Sequence, residues 1–118
     1  MRGSFSFPAG AALGIMMWAT REGVLPSIAF VALAVIFSLA LGWREEDPKI
    51  LTRNLLAFCL IGLVVEALLN CYPALSIEDP VLANTVVLVG VGDALVGQLV
   101  VLPLALVSGF ISSLVSSL

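Results

Sequence analysis

The sequence predicts an all-α, polytopic integral membrane protein, and composition and hydropathy are the two observations that lead there. Of its 118 residues, 61% are hydrophobic and only 11% are charged, and the mean hydropathy is +1.19. A soluble domain has roughly 45–50% apolar and about 25% charged residues. So few polar side chains would not cover a water-facing surface, and so apolar a chain is not expected to be disordered. We therefore expect a helix bundle in a lipid bilayer, with about four spanning segments.

Charged residues and helix breakers divide the chain into four apolar blocks. A spanning helix needs about 20 apolar residues, because the hydrocarbon core is roughly 30 Å thick and a helix rises about 1.5 Å per residue. No convincing small-residue cleavage site follows the first block, so we interpret it as a retained membrane segment rather than a signal peptide. The expected single membrane domain covers residues 1–118, with segments at about 5–20, 24–43, 50–70 and 81–118.

The last block, residues 81–118, is too long for one ordinary crossing. A straight helix of 38 residues would extend about 57 Å, nearly twice the thickness of the hydrocarbon core. Glycine and proline are the usual interrupters of helices. We therefore expect a break or kink near residues 90–93 or at Pro103. A short segment over 81–92 before the full crossing is favoured, and a crossing over 81–102 with a bent tail is the alternative.

The basic residues predict the orientation in the membrane, because lysine and arginine are enriched in cytoplasmic loops. Arg44 and Lys49 lie in the loop between the second and third blocks, and Arg53 lies one turn into the third. The loop at residues 71–80 contains neither residue type. We expect the N-terminus and the 44–53 loop to be cytoplasmic and the 71–80 loop to be external.

The third block places its polar and small residues on one helical stripe. Glu66 and Asn70 lie in this stripe at helical spacing. A carboxylate at the membrane centre costs about 2.5 kcal/mol or more, and less near an interface. Glu66 is therefore predicted to be a ligand for an ion, a proton or a substrate, with Asn70 beside it. The alternative is a glutamate that reaches the external headgroups or caps a neighbouring helix. The stripe consists of Thr52, Cys59, Gly62, Glu66 and Asn70.

Asp93 is the only charged residue of the last block. With Glu66 it is predicted to line a path for protons or cations, at a helix break of the kind that transporters with discontinuous helices use. The alternative places Asp93 in a short turn at the membrane surface. Gln98 lies off the stripe that contains Asp93 and is expected to bond to another helix. That stripe consists of Gly90, Asp93, Gly97, Leu104, Ser108 and Ser112.

Small residues at helical spacing predict close helix packing, because they allow two backbones to approach each other. Such contacts are expected within the chain or with a partner. The predicted packing residues are Gly10, Gly14, Gly62, Gly97, Ser108 and Ser112.

The string from Gly90 to Asp93, Gly-Val-Gly-Asp, resembles the GxGD motif of the intramembrane aspartyl proteases, the presenilin and prepilin-peptidase family. In that family the aspartate is one of two catalytic aspartates on neighbouring helices, so the resemblance implies a catalytic Asp93. The chain departs from the pattern because no second membrane aspartate precedes Asp93. Only Glu66 does, and Tyr72 is followed by Pro73 rather than by aspartate.

The stretch at residues 50–55, Ile-Leu-Thr-Arg-Asn-Leu, leads from a basic loop into a helix with one glutamate. This arrangement is similar to the small proton-channel subunits of complex-I-like enzymes, where a basic loop precedes a helix with a membrane glutamate. The resemblance covers one helix and implies a proton-conducting role for Glu66.

Other compositional features exclude several classes of site. The chain has no histidine, so sites that need histidine for haem, zinc or nucleophilic catalysis are excluded. Two cysteines are too few for a cysteine-only metal site. No cofactor and no metal are expected, and the net charge of −3 makes nucleic acid an unsuitable partner.

These observations favour a small membrane subunit of a larger transport or energy-conversion complex, close to a proton or cation path and without catalytic activity of its own. Its expected partners are the lipid bilayer and either other membrane subunits or further copies of the chain. A self-contained transporter of ions or small solutes, working as an oligomer, is the first alternative. A GxGD-type protease is the second.

Overall fold

A computed structural model describes residues 2–23 and 26–118, and the elements it contains there are all helical. A short 3₁₀ helix, Tyr72–Ser76, connects the third α-helix to the fourth. The part of the chain described has no β-strand, so the all-α prediction is confirmed. The α-helices are α1 (Arg2–Arg21), α2 (Ile28–Gly42), α3 (Pro48–Cys71) and α4 (Pro80–Ser117).

The dipeptide Asp-Pro starts both long helices, α3 and α4. The Asp47 carboxylate accepts a 2.9 Å hydrogen bond from the backbone N–H of Lys49, and Asp79 accepts a 3.0 Å bond from Val81. An aspartate cap satisfies an N–H that has no partner within the helix, and proline at the next position needs no such partner. Both helix starts are therefore encoded locally.

The four helices form an up-down-up-down bundle in which α1 and α3 are parallel to each other. Helix α4 packs against both α2 and α3, and α1 packs mainly against α3. The backbone N–H of Arg44 donates to Ser116 Oγ over 2.7 Å, so the 43–47 loop lies beside the end of α4. The opposite end holds the 72–79 connection and the end of α1. These are called the 43–47 end and the 72–79 end.

The apolar core occupies the middle of the bundle and the half near the 43–47 end. Phe37 contacts the rings of Phe5 and Phe58 edge to face, with centroids 5.6 and 6.2 Å away. From the contact between Phe5 and Phe37, α1 continues further toward the 72–79 end than α2 does. This difference in length leaves a recess above the start of α2. The fully buried large apolar side chains are Leu13, Leu41, Leu51, Leu55, Phe58 and Val101.

Glycine brings α1 and α3 into close backbone contact. A Cβ added at Gly14 would lie 2.7 Å from the carbonyl oxygen of Gly62, and one added at Gly10 would lie 2.8 Å from that of Phe58. Both distances are shorter than a carbon atom tolerates, so these two positions fit only glycine without a shift of the helices. The geometry is that of small-residue helix packing in membranes.

The other predicted packing residues lie along α4. Gly97 faces the Met17 side chain of α1. Ser112 is buried, and its hydroxyl donates to the carbonyl of Leu39 over 2.6 Å. Ser108 is only half-buried.

Helix α4 is continuous from Pro80 to Ser117, so the predicted break near residues 90–93 or at Pro103 is wrong, and a kink there stays a prediction. A Cβ added at Gly90 would lie 2.9 Å from the Asn70 Cβ, so this glycine serves close packing rather than interruption. Pro103 removes one helical hydrogen bond, which apolar helices tolerate.

Two helical stretches are long and apolar enough to span a membrane, Pro48–Ser76 and Pro80–Ser117. Helix α2 is apolar but shorter, with 15 residues. Large apolar side chains remain on the outside of the bundle, as at Leu88 and Leu99, which are 73% and 74% exposed.

Candidate functional site

A polar groove opens at the 72–79 end, where α1 extends past the start of α2. Its volume is about 380 Å³, and all four helices contribute to its walls. It contains two of the residues predicted from the sequence to form an ion or substrate path, Glu66 and Asp93. The lining residues are Met17, Thr20, Arg21, Ser27, Phe30, Glu66, Asp93, Val96, Gly97 and Val100.

Glu66 lies at the inner wall of the groove and is 3% exposed. Its Oε1 atom has no hydrogen-bond partner among the described residues. Opposite it, a Cβ added at Gly97 would lie 3.5 Å from Oε1, so α4 packs against the carboxylate at this glycine without donating a hydrogen bond to it. Two other buried polar atoms without partners, on Ser38 and Asn54, belong to residues outside the groove.

The mouth of the groove holds an ion pair between the end of α1 and the middle of α4. Arg21 Nε donates to Asp93 Oδ2 over 2.6 Å, and Arg21 Nη1 lies 3.2 Å from Glu22 Oε1. The Arg21 and Asp93 side chains are 33% and 48% exposed. A cation in the last turn of a helix also interacts favourably with the helix dipole. Arg21 is thus occupied by two carboxylates, while Glu66 retains a free oxygen.

Asn70 connects the mouth of the groove to the backbone of α4. Its Nδ2 donates to the carbonyl of Gly90 over 3.0 Å, and its Oδ1 lies 3.5 Å from Arg21 Nη1. Asn70 follows Glu66 by one helical turn on the buried side of α3. The structure therefore places Asn70 next to the groove, behind the ion pair.

Gln98 lies apart from these residues. Its Nε2 is 3.9 Å from Met17 Sδ, and the side chain borders a separate apolar groove between α3 and α4, together with Cys59 and Leu102. The position agrees with a side chain that reaches another helix, but it is not in the polar groove.

Arg21, Thr20 and Ser27 are groove residues that the sequence analysis did not single out. The first predicted segment ends at about residue 20, next to Arg21. The expected topology contained a signal for it, because the first and third blocks end on the same side of the membrane, and Arg21 and Asn70 are the polar residues at those ends.

The groove offers a carboxylate for a proton or a cation, and it does not form a multidentate metal centre. In the described part of the chain, no three cysteine, aspartate or glutamate residues are close enough to hold a metal ion together. A buried carboxylate without a hydrogen-bond partner is costly. Protonation or a bound cation reduces that cost, and either one fits at Glu66.

Comparison with known proteins adds no functional information: no family model, no curated protein and no solved structure matches this chain. The chemistry of the polar groove is therefore the guide to function.

Proposed function

We propose that this chain is a four-span membrane protein that binds protons or small cations at Glu66, as a small subunit of a larger transport or energy-conversion complex. The observation that carries the proposal is the buried Glu66 carboxylate, with one oxygen unpartnered, in the wall of an open groove. Intramembrane carboxylates are costly and face cavities or polar partners, where they mark ion and proton pathways.

The packing of the two shorter helices alongside the two longer ones supports the four-span arrangement. Helices α1 and α2 pack alongside α3 and α4 and carry exposed apolar side chains such as Ile15 and Ile36. Helix α2 would measure about 22 Å, less than the hydrocarbon core, a mismatch that membranes accommodate by thinning or tilt. In this arrangement the 43–47 end, with Arg44 and Lys49, faces the cytoplasm.

The ion pair at the mouth then acts as a gate. A cation that enters from the 72–79 end passes Arg21 and Asp93 before it reaches Glu66. Asp93 attracts the cation and at the same time holds the guanidinium away from Glu66. The short loops leave no room for a soluble catalytic domain, and the exposed apolar flanks suit contacts with lipid and with other membrane subunits.

Ion flux in proteoliposomes tests the role of Glu66. We expect Glu66→Gln to reduce proton or alkali-cation flux at least ten-fold, because the amide has nearly the same shape but no charge. Glu46→Gln is the matched control, since Glu46 is an exposed acid at the opposite end. Flux at the wild-type level in Glu66→Gln contradicts the proposal.

The oligomeric context separates a complex subunit from a self-contained transporter. Purification from native membranes in a mild detergent is expected to bring other membrane polypeptides in constant stoichiometry. A monodisperse homo-oligomer that conducts ions alone contradicts the subunit role and supports the alternative of an oligomeric transporter.

One observation favours the protease alternative, because Glu66 and Asp93 line the same groove from neighbouring helices. Two carboxylates that share a proton are the basis of aspartyl protease chemistry. Against this, Asp93 is bound to Arg21 and makes no hydrogen bond to Glu66 in the structure. Cleavage of a reporter transmembrane peptide by the wild type and not by Asp93→Asn would favour the protease.

A further inference from the structure

The polar groove is larger than a proton or a bare metal ion requires. Its volume of about 380 Å³ falls in the range of small-molecule sites, roughly 300–1,000 Å³. One liquid water occupies about 30 Å³, so the groove has room for a ligand of many non-hydrogen atoms. The size therefore points to an organic ligand.

The charged and polar groups in the groove indicate the sign of the charge on that ligand. Arg21 already donates to Asp93 and contacts Glu22, so an anion would have to compete with two carboxylates for it. Glu66 is more than nine-tenths buried, and its Oε1 has no partner among the described residues. The unsatisfied atom in the wall is thus a carboxyl oxygen that accepts hydrogen bonds, and it suits a cation that can donate them.

The remaining wall is mostly apolar. Met17, Val96 and Val100 contribute aliphatic or thioether surface, and Phe30 contributes the only aromatic ring of the lining. The face of an aromatic ring attracts cations, and quaternary ammonium ligands are commonly bound in this way. A strongly hydrated inorganic ion gains nothing from such a wall, whereas an amine with apolar substituents does.

We propose that the polar groove binds a small organic monocation, a protonated amine with an apolar body. The charged nitrogen lies at Glu66, and the apolar body lies against Phe30 and Val100. The inference rests on the proposed function in one respect, because both assign cation binding to Glu66, but it names a different ligand class.

Calorimetric titration of the full chain in lipid nanodiscs with benzylammonium tests the inference. We expect the wild type to bind this probe and Glu66→Gln to bind it at least ten-fold more weakly. Glu78→Gln is the matched control, because Glu78 is an exposed acid at the same end but outside the groove, and its affinity should equal that of the wild type. No binding by the wild type, or equal binding by Glu66→Gln, overturns the inference.

A second variant and a competition experiment remain decisive if Glu66→Gln does not fold. Phe30→Leu keeps the wall apolar and removes the ring, so we expect it to weaken probe binding several-fold. With the wild type, potassium and methylammonium should displace the probe at least ten-fold less effectively than unlabelled benzylammonium displaces a labelled form. Unchanged affinity in Phe30→Leu, or equal displacement by potassium, overturns the inference.

The flux and binding experiments distinguish failure of the proposed function from failure of the organic-cation site. Glu66-dependent proton flux without binding of the probe overturns the organic-cation site and leaves the proposed function intact. Glu66-dependent binding of the probe without proton or alkali-cation flux supports the site and contradicts the inorganic-ion role.

Discussion

Glu66 and Asn70 lie one turn apart on α3, and they differ in whether their buried polar atoms have hydrogen-bond partners. Asn70 is buried and donates to the Gly90 carbonyl, whereas the Glu66 Oε1 atom is buried without a partner. A buried polar group without a hydrogen bond costs about 1–3 kcal/mol, and a satisfied one contributes about 0.5–1.5 kcal/mol. Glu66 thus lowers the stability of the bundle, and Asn70 raises it.

Replacement of Glu66 by an apolar residue of similar size is expected to preserve or increase stability. Glu66→Met removes the unpartnered carboxylate and keeps the side-chain volume, so we expect a gain of about 1 kcal/mol or no change. Reversible unfolding in mixed detergent micelles measures the difference. A loss of more than about 1 kcal/mol would mean that the carboxylate has a stabilising partner, which would also contradict its role as a free ligand.

The opposite result is expected at Asn70. Asn70→Ala removes the hydrogen bond to Gly90 and should lower the free energy of unfolding by about 0.5–1.5 kcal/mol. Asn84→Ala is the control, because Asn84 is exposed on α4 and its loss should change stability by less than about 0.5 kcal/mol. Equal effects of the two substitutions would show that the link between Asn70 and α4 is not formed.

At the scale of the helix, the sequence predicted the four elements but not their pairing. The blocks at 5–20, 24–43, 50–70 and 81–118 each correspond to one helix, because apolar runs between charged loops have few other ways to satisfy their backbone. The Asp-Pro starts of α3 and α4 were an available signal for their first residues. The ion pair between Arg21 and Asp93 joins residues 72 positions apart, and no local pattern encodes such a contact.

The error in α4 arose because a glycine was taken as a helix breaker. Position 90 needs a small residue because Asn70 packs against it. At Gly92, by contrast, no atom lies within 4 Å of where a Cβ would be. Both lie within continuous helix. Glycine in an apolar helix therefore has two explanations, close packing or interruption, and only the position of the neighbouring helix distinguishes them.

Two glycine-to-alanine substitutions test this distinction between packed and open glycines. Gly14→Ala places a methyl group against the Gly62 carbonyl, so we expect a loss of roughly 1–3 kcal/mol from overpacking. Gly92→Ala meets open space within a helix and should stabilise the protein by about 0.4–1 kcal/mol. Unfolding in mixed micelles measures both. Destabilisation by Gly92→Ala would indicate that the chain does break near residues 90–93.

At the scale of the whole molecule, the apolar half of the bundle and the polar groove occupy different ends. Packed side chains such as Leu41 and Leu51 fill the half near the 43–47 loop. The polar groove lies at the other end, where α1 extends past the first residue of α2. The well-packed half thus supports a recess that is open at one end. In a four-span arrangement this recess has access to only one side of the membrane.

Labelling of single cysteines with a membrane-impermeant maleimide tests that arrangement, in a background where Cys59 and Cys71 are replaced by alanine. If all four helices span, Glu22→Cys and Glu78→Cys are labelled from one side and Glu46→Cys from the other. Labelling of Glu22→Cys decides whether α1 and α2 span the membrane. If these two helices lay on the membrane surface instead, Glu22→Cys would be labelled from the same side as Glu46→Cys.

The same experiment tests whether α4 crosses once. Ser117 is exposed at the end of α4, and the continuous helix places it beside the 43–47 loop. We therefore expect Ser117→Cys and Glu46→Cys to be labelled from the same side. Both variants should react in vesicles of one orientation, right-side-out or inverted, and both should be protected in vesicles of the other orientation. Labelling of Ser117→Cys from the same side as Glu78→Cys would mean that the chain after residue 80 crosses the membrane twice or not at all, which would contradict a single crossing by α4.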